Sequence, residues 1–351
     1  MLKISRKVLL HRDRLRDKAW RKSLKRRFES KGVSLETVKL QPPKNFNLSE
    51  SYEETVKFLT RLKDQMSDTS KGYNEKRILL DLGEIETMSL GGALVLAAEI
   101  DRWRFVRSVP LSTIGVSNLG KDVHNLLTEL GFFELLGASK SDKKLGRAHP
   151  IEFRVLRITS GSLAEGEKIA LIQEHLEKVA EIFEQDPMYY GAMFEAAHNS
   201  WDHAYPKGIE FKYQHVHRWW ATASWNTENE TIKLLVYDQG VGIAETLPRS
   251  QIWEQVKGLL GAVPYASLIV KDQASMIAAA LEVARTSKGS GRGQGFRDIV
   301  APIDQLGSGK LRILSGKGEI LYTSGGSVVK TEKTMHVGGT LIEWTVPVGA
   351  V

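Results

Sequence analysis

The sequence contains no cysteine. This absence excludes disulfide bonds, thiolate metal sites and cysteine nucleophiles together. No apolar run approaches the roughly 18 residues that a membrane-spanning helix needs, so we expect no membrane span. The amino terminus also lacks the apolar stretch and the small-residue cleavage site of a secretory signal. These absences predict a cytoplasmic protein, and 351 residues of ordinary composition leave room for two globular domains.

The net charge of +7 is concentrated at the amino terminus. Residues 1–32 carry 13 Lys and Arg against 3 Asp and Glu, a net charge of +10, which leaves −3 for the rest of the chain. Such a basic arm suits nucleic acid, an anionic membrane surface or an acidic protein partner. A solvated, partly helical leader without a specific partner is the plainer alternative.

Strands and helices alternate in the first half of the chain. The predicted order is a strand over 33–40, a helix over 48–66 opened by Ser49, a strand over 77–85, a helix over 91–106, a strand over 111–116 and a helix over 120–137 broken at Gly131. This alternation predicts a parallel or mixed sheet with helices against it. A polar, basic segment then ends at Pro150. We therefore predict an N-terminal domain over 33–140, a linker over 141–150 and a C-terminal domain over 151–351.

The second half begins with a predicted strand and two helices. The order is a strand over 151–158, helices over 164–185 and 187–204, strands over 219–226 and 231–238, and mobile helical material over 249–286. Three further strands, KLRILSG, EILYTSGG and GTLIEWTVP, form an antiparallel series to the end.

Four segments of this half carry residue types suited to ligand chemistry. Glu195 and Asn199 are four residues apart on a predicted helix, so a carboxylate and an amide share one face. The carboxylate can polarise a water, and the amide oxygen is a hard ligand suited to magnesium. Asp238 ends a strand and precedes Gly240 and Gly242, which let a ligand approach the backbone. An acceptor in that position suits an exocyclic amine such as that of adenine.

The third segment, GSGRGQGF over 289–296, opens a helix. Its successive glycines expose backbone N–H groups and the helix start adds a favourable dipole, so phosphate is the expected guest. Neither a Rossmann nor a Walker loop fits the surrounding sequence. The fourth segment, GGT over 338–340, places Thr340 at the start of the last strand, where it could reach the same base.

The order and spacing of these four segments resemble the GHKL superfamily of ATP-binding domains, which includes gyrase, histidine kinases, mismatch-repair ATPases and anti-sigma serine kinases. The resemblance covers about residues 165–347. It implies a Bergerat-type α/β sandwich with a mixed sheet under helices, Mg²⁺ held by Asn199, and Glu195 as the base that activates water or a hydroxyl. It also implies a lid over 244–288. The implied ATP-binding residues are Asn199, Asp202, Asp238, Gly240, Gly242, Ile243, Lys288, Gly289, Gly291, Arg292, Gly293, Gln294, Gly295, Phe296 and Thr340.

The kinase branches of this superfamily fit best. We expect no transducer domain of the kind that gyrase-like members need, and strand–helix alternation stands where a histidine kinase carries its helical hairpin. We expect His198 to pack near the site rather than accept phosphate. Lys288 and Arg292 either pair with the phosphate tail or remain solvated, and we favour the phosphate contact.

The segment over 76–138 resembles the STAS domain of anti-sigma factor antagonists, with the order strand, glycine-led helix, strand, helix. The resemblance implies an N-terminal STAS-like α/β domain that docks a protein partner. Gly91 stands at the phosphoacceptor position of that family. Ser89 is a displaced candidate for modification, with a helix N-cap role as the alternative.

Two aromatic groups have competing interpretations. Trp219, Trp220 and Trp225 suit sheet core better than base stacking. His215, His217 and His203 with Asp202 have a spacing that metal sites also use, but no further ligand pattern accompanies them.

Three functions remain open from the sequence. The first is a regulatory switch that binds Mg-ATP, hydrolyses it slowly and thereby controls how the STAS-like half docks an unidentified protein. The second is a serine/threonine kinase that acts on a separate antagonist. The third is a nucleotide-gated component of a nucleic-acid complex that uses residues 1–32.

Overall fold

The computed structural model describes residues 36–67, 76–106, 111–136, 153–162, 166–177, 188–226, 228–261, 272–286 and 295–347. Over these ranges the chain is a mixed α/β protein. None of the helices in them combines the length and apolar character needed to cross a bilayer. The predicted basic arm over 1–32 and the predicted linker over 141–150 lie outside the described residues.

Three parallel strands form the smaller sheet, in the order β1 (Glu36–Leu40), β3 (Lys76–Asp81) and β5 (Leu111–Ile114). Two short strands, β2 (Asn45–Phe46) and β4 (Thr87–Met88), pair separately in parallel. The helices are α1 (Tyr52–Ser67), α2 (Leu90–Val106), α3 (Lys121–Leu130) and α4 (Phe132–Leu135). The predicted alternation and parallel sheet are confirmed. So is the break at Gly131, which adopts a φ of 83°.

Side-chain hydrogen bonds to the backbone determine where the helices α1 and α2 begin. Helix α1 begins at Tyr52 instead of near Ser49, because the Asn47 side chain accepts the Ser49 backbone N–H at 2.8 Å and holds a turn ahead of the helix. Ser89 caps α2: its Oγ accepts the Gly92 backbone N–H at 3.0 Å, so the predicted N-cap role is confirmed.

Eight strands form the larger sheet, in the order β12–β11–β10–β13–β9–β8–β6, with β7 also paired to β8. They are β6 (Phe153–Val155), β7 (Thr159–Gly161), β8 (Trp219–Asn226), β9 (Thr231–Asp238), β10 (Lys310–Ser315), β11 (Gly318–Thr323), β12 (Ser327–Glu332) and β13 (Thr340–Pro347). Every described pair is antiparallel, so the mixed sheet expected here is wrong. Short turns join β8 to β9 and β10 through β12, and such turns connect antiparallel neighbours.

Two strand predictions need correction. The strand expected over 151–158 ends at Val155, and a second strand, β7, begins only at Thr159, because the Ile158 backbone N–H leaves the sheet and donates to the Leu130 carbonyl at 3.0 Å. Strand β12 was not predicted. It is an edge strand with nearly all of its residues exposed, so its sequence lacks the apolar alternation of a half-buried strand.

Within the described ranges the second half has six helices: α5 (Gly166–Glu177), α6 (Met188–His203), α7 (Ile243–Thr246), α8 (Trp253–Gly261), α9 (Gln273–Thr286) and α10 (Gly295–Leu306). The helical character predicted over 249–286 is confirmed in α8 and α9. However, α9 is packed core rather than mobile material, because Ile277 and Leu281 are at most 1% exposed and share a cluster with Tyr322 of the sheet.

Both faces of the larger sheet are covered. Along β9, Leu234 and Val236 pack with α5, α6, α9 and α10, whereas Leu235 and Tyr237 pack with the helices of the first half. Trp219 and Trp220 divide between the two faces in the same way and are at most 1% exposed, which confirms that they are sheet core. The two halves of the chain therefore share one hydrophobic cluster.

Candidate functional site

A cavity of about 1120 Å³ lies beside the carboxyl-terminal part of α6, at the end of β9 and the start of β13. It gathers residues from all four segments singled out in the sequence. The predicted site residues that line it are Glu195, Asn199, Asp202, Asp238, Gly242, Ile243, Gly295, Phe296 and Thr340. Gly240 lies between Asp238 and Gly242 but does not line the cavity. The remaining predicted residues lie outside the described part of the chain: Lys288, Gly289, Gly291, Arg292, Gly293 and Gln294.

Helix α6 supplies the first two side chains. Its alanine-rich side is buried against the sheet, which turns the half-buried Glu195 and Asn199 towards the cavity. Burial raises the pKa of the Glu195 carboxyl, and the nearby carboxylates Asp298 and Asp202 raise it further, against the opposing effect of His198. A Cβ on Gly295 would lie 2.3 Å from Glu195 Oε1, so any larger residue at the start of α10 would push the carboxylate from its position.

The Asp238 carboxylate is the most deeply placed acidic group of the cavity, at 5% exposure. The Gly240 backbone N–H donates to Oδ1 at 2.8 Å, and the Ser200 hydroxyl lies 3.2 Å from Oδ2. Burial nevertheless raises the pKa of Asp238 to about 6. Thr340 stands directly opposite Asp238 in the pairing of β13 with β9, so sheet register brings the two together.

Two glycines shape the loop after Asp238. A Cβ on Gly240 would lie 2.3 Å from the Ala204 carbonyl oxygen, so the loop passes directly against the end of α6. Gly242 has a φ of 93°, a backbone conformation that residues other than glycine rarely adopt. The loop therefore needs both glycines to keep Asp238 at the cavity wall.

Sequence reasoning missed Ser315. Its hydroxyl accepts the Ile243 backbone N–H at 2.8 Å and lies 2.8 Å from the Thr340 hydroxyl. It thus joins α7 to the first residue of β13. No sequence pattern marks a serine at the end of β10, because its approach to the site depends on β10 lying next to β13 in the sheet.

Charge is distributed unevenly around the cavity. Four carboxylates line it, those of Glu195, Asp202, Asp238 and Asp298. Among the described lining residues, Arg249 is the only lysine or arginine. A polyanionic ligand therefore needs a counter-cation beside Glu195, or donors from the segment over 287–294 that precedes α10.

The histidines whose spacing metal sites also use have different surroundings in the structure. His215 and His217 stack with Tyr205 and Phe211, with the two imidazole centroids 4.3 Å apart. His203 lines the cavity instead. Within the described ranges no three His, Asp or Glu side chains are grouped so as to hold a metal ion on their own.

Comparison with known protein families, with curated proteins and with solved structures finds no match to this chain. The chemistry of the cavity therefore carries the assignment. It offers a buried acceptor at Asp238, a neighbouring hydroxyl at Thr340, and a half-buried carboxylate with a raised pKa at Glu195. These groups suit a ligand that offers an amine donor at one end and, at the other, a group that a base-activated water can attack.

Proposed function

We propose that this chain binds Mg-ATP in the cavity of Asp238 and Glu195, hydrolyses it slowly, and uses the nucleotide state to control its STAS-like N-terminal half. The proposal places the second half in the GHKL superfamily, with a Bergerat-type fold. The observation that carries it is the convergence of four separate sequence segments on one cavity. Segments that converge in space although they are far apart along the chain support a shared ligand.

Asp238 is suited to bind the adenine amine. Its carboxylate is buried at the cavity wall, where an exocyclic N–H can donate to it and where water competes poorly. The Thr340 hydroxyl, opposite Asp238 in the sheet, supplies a further polar contact to the base. Ile243, Phe296 and Ile342 add apolar surface for the ring.

The other end of the cavity fits magnesium and phosphate. Asn199 provides one hard oxygen ligand, and Glu195, Asp202 and Asp298 supply the negative charge that attracts a divalent cation. Magnesium keeps several waters and takes phosphate oxygens, so a site without three clustered protein ligands among the described residues suits it. When bound, the ion neutralises the phosphate charge. The backbone at the start of α10 faces the same end through Gly295.

Glu195 is placed to act as the general base. Burial shifts the pKa of this carboxyl upwards, in the direction of neutral pH. A general base works best when its pKa is near the working pH, because it is then ionised and still accepts a proton readily. Asn199, one helical turn further along α6, lies beside the carboxylate and favours its ionised form, which lowers its pKa slightly against the effect of burial. A water beside the terminal phosphate would give a proton to Glu195 as its oxygen attacks the phosphorus, while the bond from that phosphorus to the bridging oxygen breaks and ADP leaves.

The first half supports the STAS-like part of the proposal by its order of elements, β3, α2, β5 and α3 around a parallel sheet. Its glycine-led helix α2 docks onto the larger sheet of the same chain, where Gly91 approaches Leu341 and Leu235. The N-terminal half therefore contacts the proposed nucleotide-binding half within one chain.

Calorimetry with Mg-ATP, combined with a phosphate-release assay, tests the proposal. The wild type should bind ATP and release phosphate slowly. Glu195→Gln should keep binding and lose turnover by about 100-fold or more, as expected for a general base. Glu254→Gln is the matched control, because Glu254 is an exposed glutamate of α8 that pairs with Lys257 and does not line the cavity. Absence of ATP binding by the wild type would refute the proposal.

A further inference from the structure

A buried polar cluster joins α2 to the loop that follows β9. Its centre is the Glu99 carboxylate, which is fully buried in the middle of α2. Arg102 and Trp103 of the same helix donate to Glu99 Oε1, and Gln239 Nε2 donates to Glu99 Oε2 at 3.0 Å. Gln239 immediately follows Asp238, so this hydrogen bond links the N-terminal half to the wall of the cavity.

The backbone of this loop is fixed on two further sides. The Gln239 N–H donates to Tyr205 Oη at 3.0 Å, and that hydroxyl donates in turn to the Arg218 carbonyl at 2.6 Å. On the other side, a Cβ on Gly339 would lie 1.8 Å from the Asp238 carbonyl oxygen, so the backbone before β13 lies directly against the loop. The Glu99 contact is the one that fixes the Gln239 side chain.

The Gln239 side chain depends strongly on Glu99. Its Oε1 is buried and has no hydrogen-bond partner among the described residues, so the bond from Nε2 to Glu99 is what compensates the burial of this amide. Without Glu99, both polar atoms of the amide would be buried and unpaired. The loop relieves that cost by moving Gln239 towards solvent, and the peptide shared with Asp238 must move with it.

We propose that Glu99 is a positioning residue for the nucleotide site: through Gln239 it holds Asp238 in place, so that the docking of α2 sets nucleotide affinity. The identity of the ligand rests on the proposed function, whereas the mechanical link does not. By linkage, a nucleotide bound at Asp238 strengthens the docking of α2 by the same factor.

The test compares two buried acidic residues of one helix. Glu99→Leu removes the bond to the Asp238–Gly240 loop. Asp101→Leu is the matched control, because Asp101 Oδ2 accepts Trp220 Nε1 at 3.0 Å and so also joins α2 to the larger sheet. Trp220 neither lines the cavity nor belongs to the loop. Both variants lose a buried carboxylate, but only the first loses the contact with Gln239.

Glu99→Gln supplies a conservative rescue. The amide oxygen that this substitution introduces still accepts from Arg102 and Trp103, and the amide nitrogen donates to Gln239 Oε1 once the Gln239 amide turns over. The bridge is then restored with its polarity reversed. If the fold needed only a buried side chain of this size at position 99, Glu99→Gln and Glu99→Leu would behave alike. Gln239→Met removes the same bond from the loop side and serves if Glu99→Leu does not fold.

Two readouts separate this inference from the proposed function. Mg-ATP affinity should fall about tenfold in Glu99→Leu and in Gln239→Met, stay within about twofold in Asp101→Leu, and recover in Glu99→Gln. Hydrogen exchange of the Gly240 amide, which donates to Asp238, should accelerate in Glu99→Leu but not in Asp101→Leu, measured without ligand. Equal effects in Glu99→Leu and Asp101→Leu, or none in either readout, overturn the positioning role. If the wild type binds no ATP, the proposed function fails, and the exchange rates alone decide the inference.

Discussion

Replacing Asp238 by asparagine should make the ligand-free protein more stable at neutral pH while it removes nucleotide affinity. Burial raises the pKa of Asp238 from 3.8 to about 6. The folded state therefore holds the proton more tightly than the unfolded state. The stability that this proton contributes is fully present below pH 4 and is lost as the pH rises through 6. Two pKa units correspond to about 3 kcal/mol, which the wild type has lost at pH 7.

Asparagine is neutral at every pH and does not suffer this loss. It keeps an oxygen for the Gly240 N–H, so the local hydrogen bonding survives. We expect urea denaturation of the ligand-free proteins to show the variant about as stable as the wild type at pH 4. At pH 7 it should be more stable, by up to about 3 kcal/mol. Glu254→Gln, which neutralises an exposed carboxylate, should show little difference at either pH.

The same variant should lose Mg-ATP affinity by about 10- to 100-fold, because a charge-assisted hydrogen bond to the adenine amine is replaced by an amide that competes as a donor. The two results must occur together. A variant that is less stable than the wild type at pH 7, or a stability difference that does not change between pH 4 and pH 7, would show that burial of the Asp238 charge is not costly and would refute the reasoning.

Three further predictions follow from individual contacts. Ser89→Ala should lower the free energy of unfolding by about 1 kcal/mol, measured by urea titration, because the Gly92 N–H loses its cap; Ser89→Asp should not. Gly240→Ala should destabilise the fold by about 1–3 kcal/mol and abolish nucleotide binding, since its Cβ would meet the Ala204 carbonyl; a stable, binding-competent variant would contradict the loop geometry. Chelation of magnesium should weaken ATP binding in calorimetry, and it should matter less in Asn199→Ala than in the wild type.

The cavity was predictable because its residues lie at positions that local sequence defines. Glu195 and Asn199 are one helical turn apart, and Asp238 ends a strand in which the four preceding residues, 234–237, are apolar or aromatic. Glycine occurs where the backbone passes close to this helix: Gly240 lies against Ala204, and Gly295 lies against Glu195. Periodicity and glycine placement are local signals, so they survive without knowledge of the tertiary fold.

The arrangement of the two halves was not predictable in the same way. Helix α2 is buried around its whole circumference, which its nearly unbroken apolar sequence does indicate. Which surfaces bury it depends on contacts with residues more than 100 positions away, such as that of Asp101 with Trp220. The same holds for Ser315 at the end of β10. Sequence patterns report burial but not the partner that provides it.

Two buried carboxylates, Glu99 and Asp238, lie on either side of Gln239, and their surroundings differ in a way that bears on function. Glu99 has three donors and the charge of Arg102 beside it, a fully paired arrangement of the kind that structural charges require. Asp238 has backbone amides and a hydroxyl, and these leave its pKa near 6. A loss of about 3 kcal/mol is a large share of the roughly 5–15 kcal/mol that stabilises a typical domain. A group that costs this much is expected where it serves a ligand, and an amine donor at the cavity wall would supply the compensation that the protein's own donors do not.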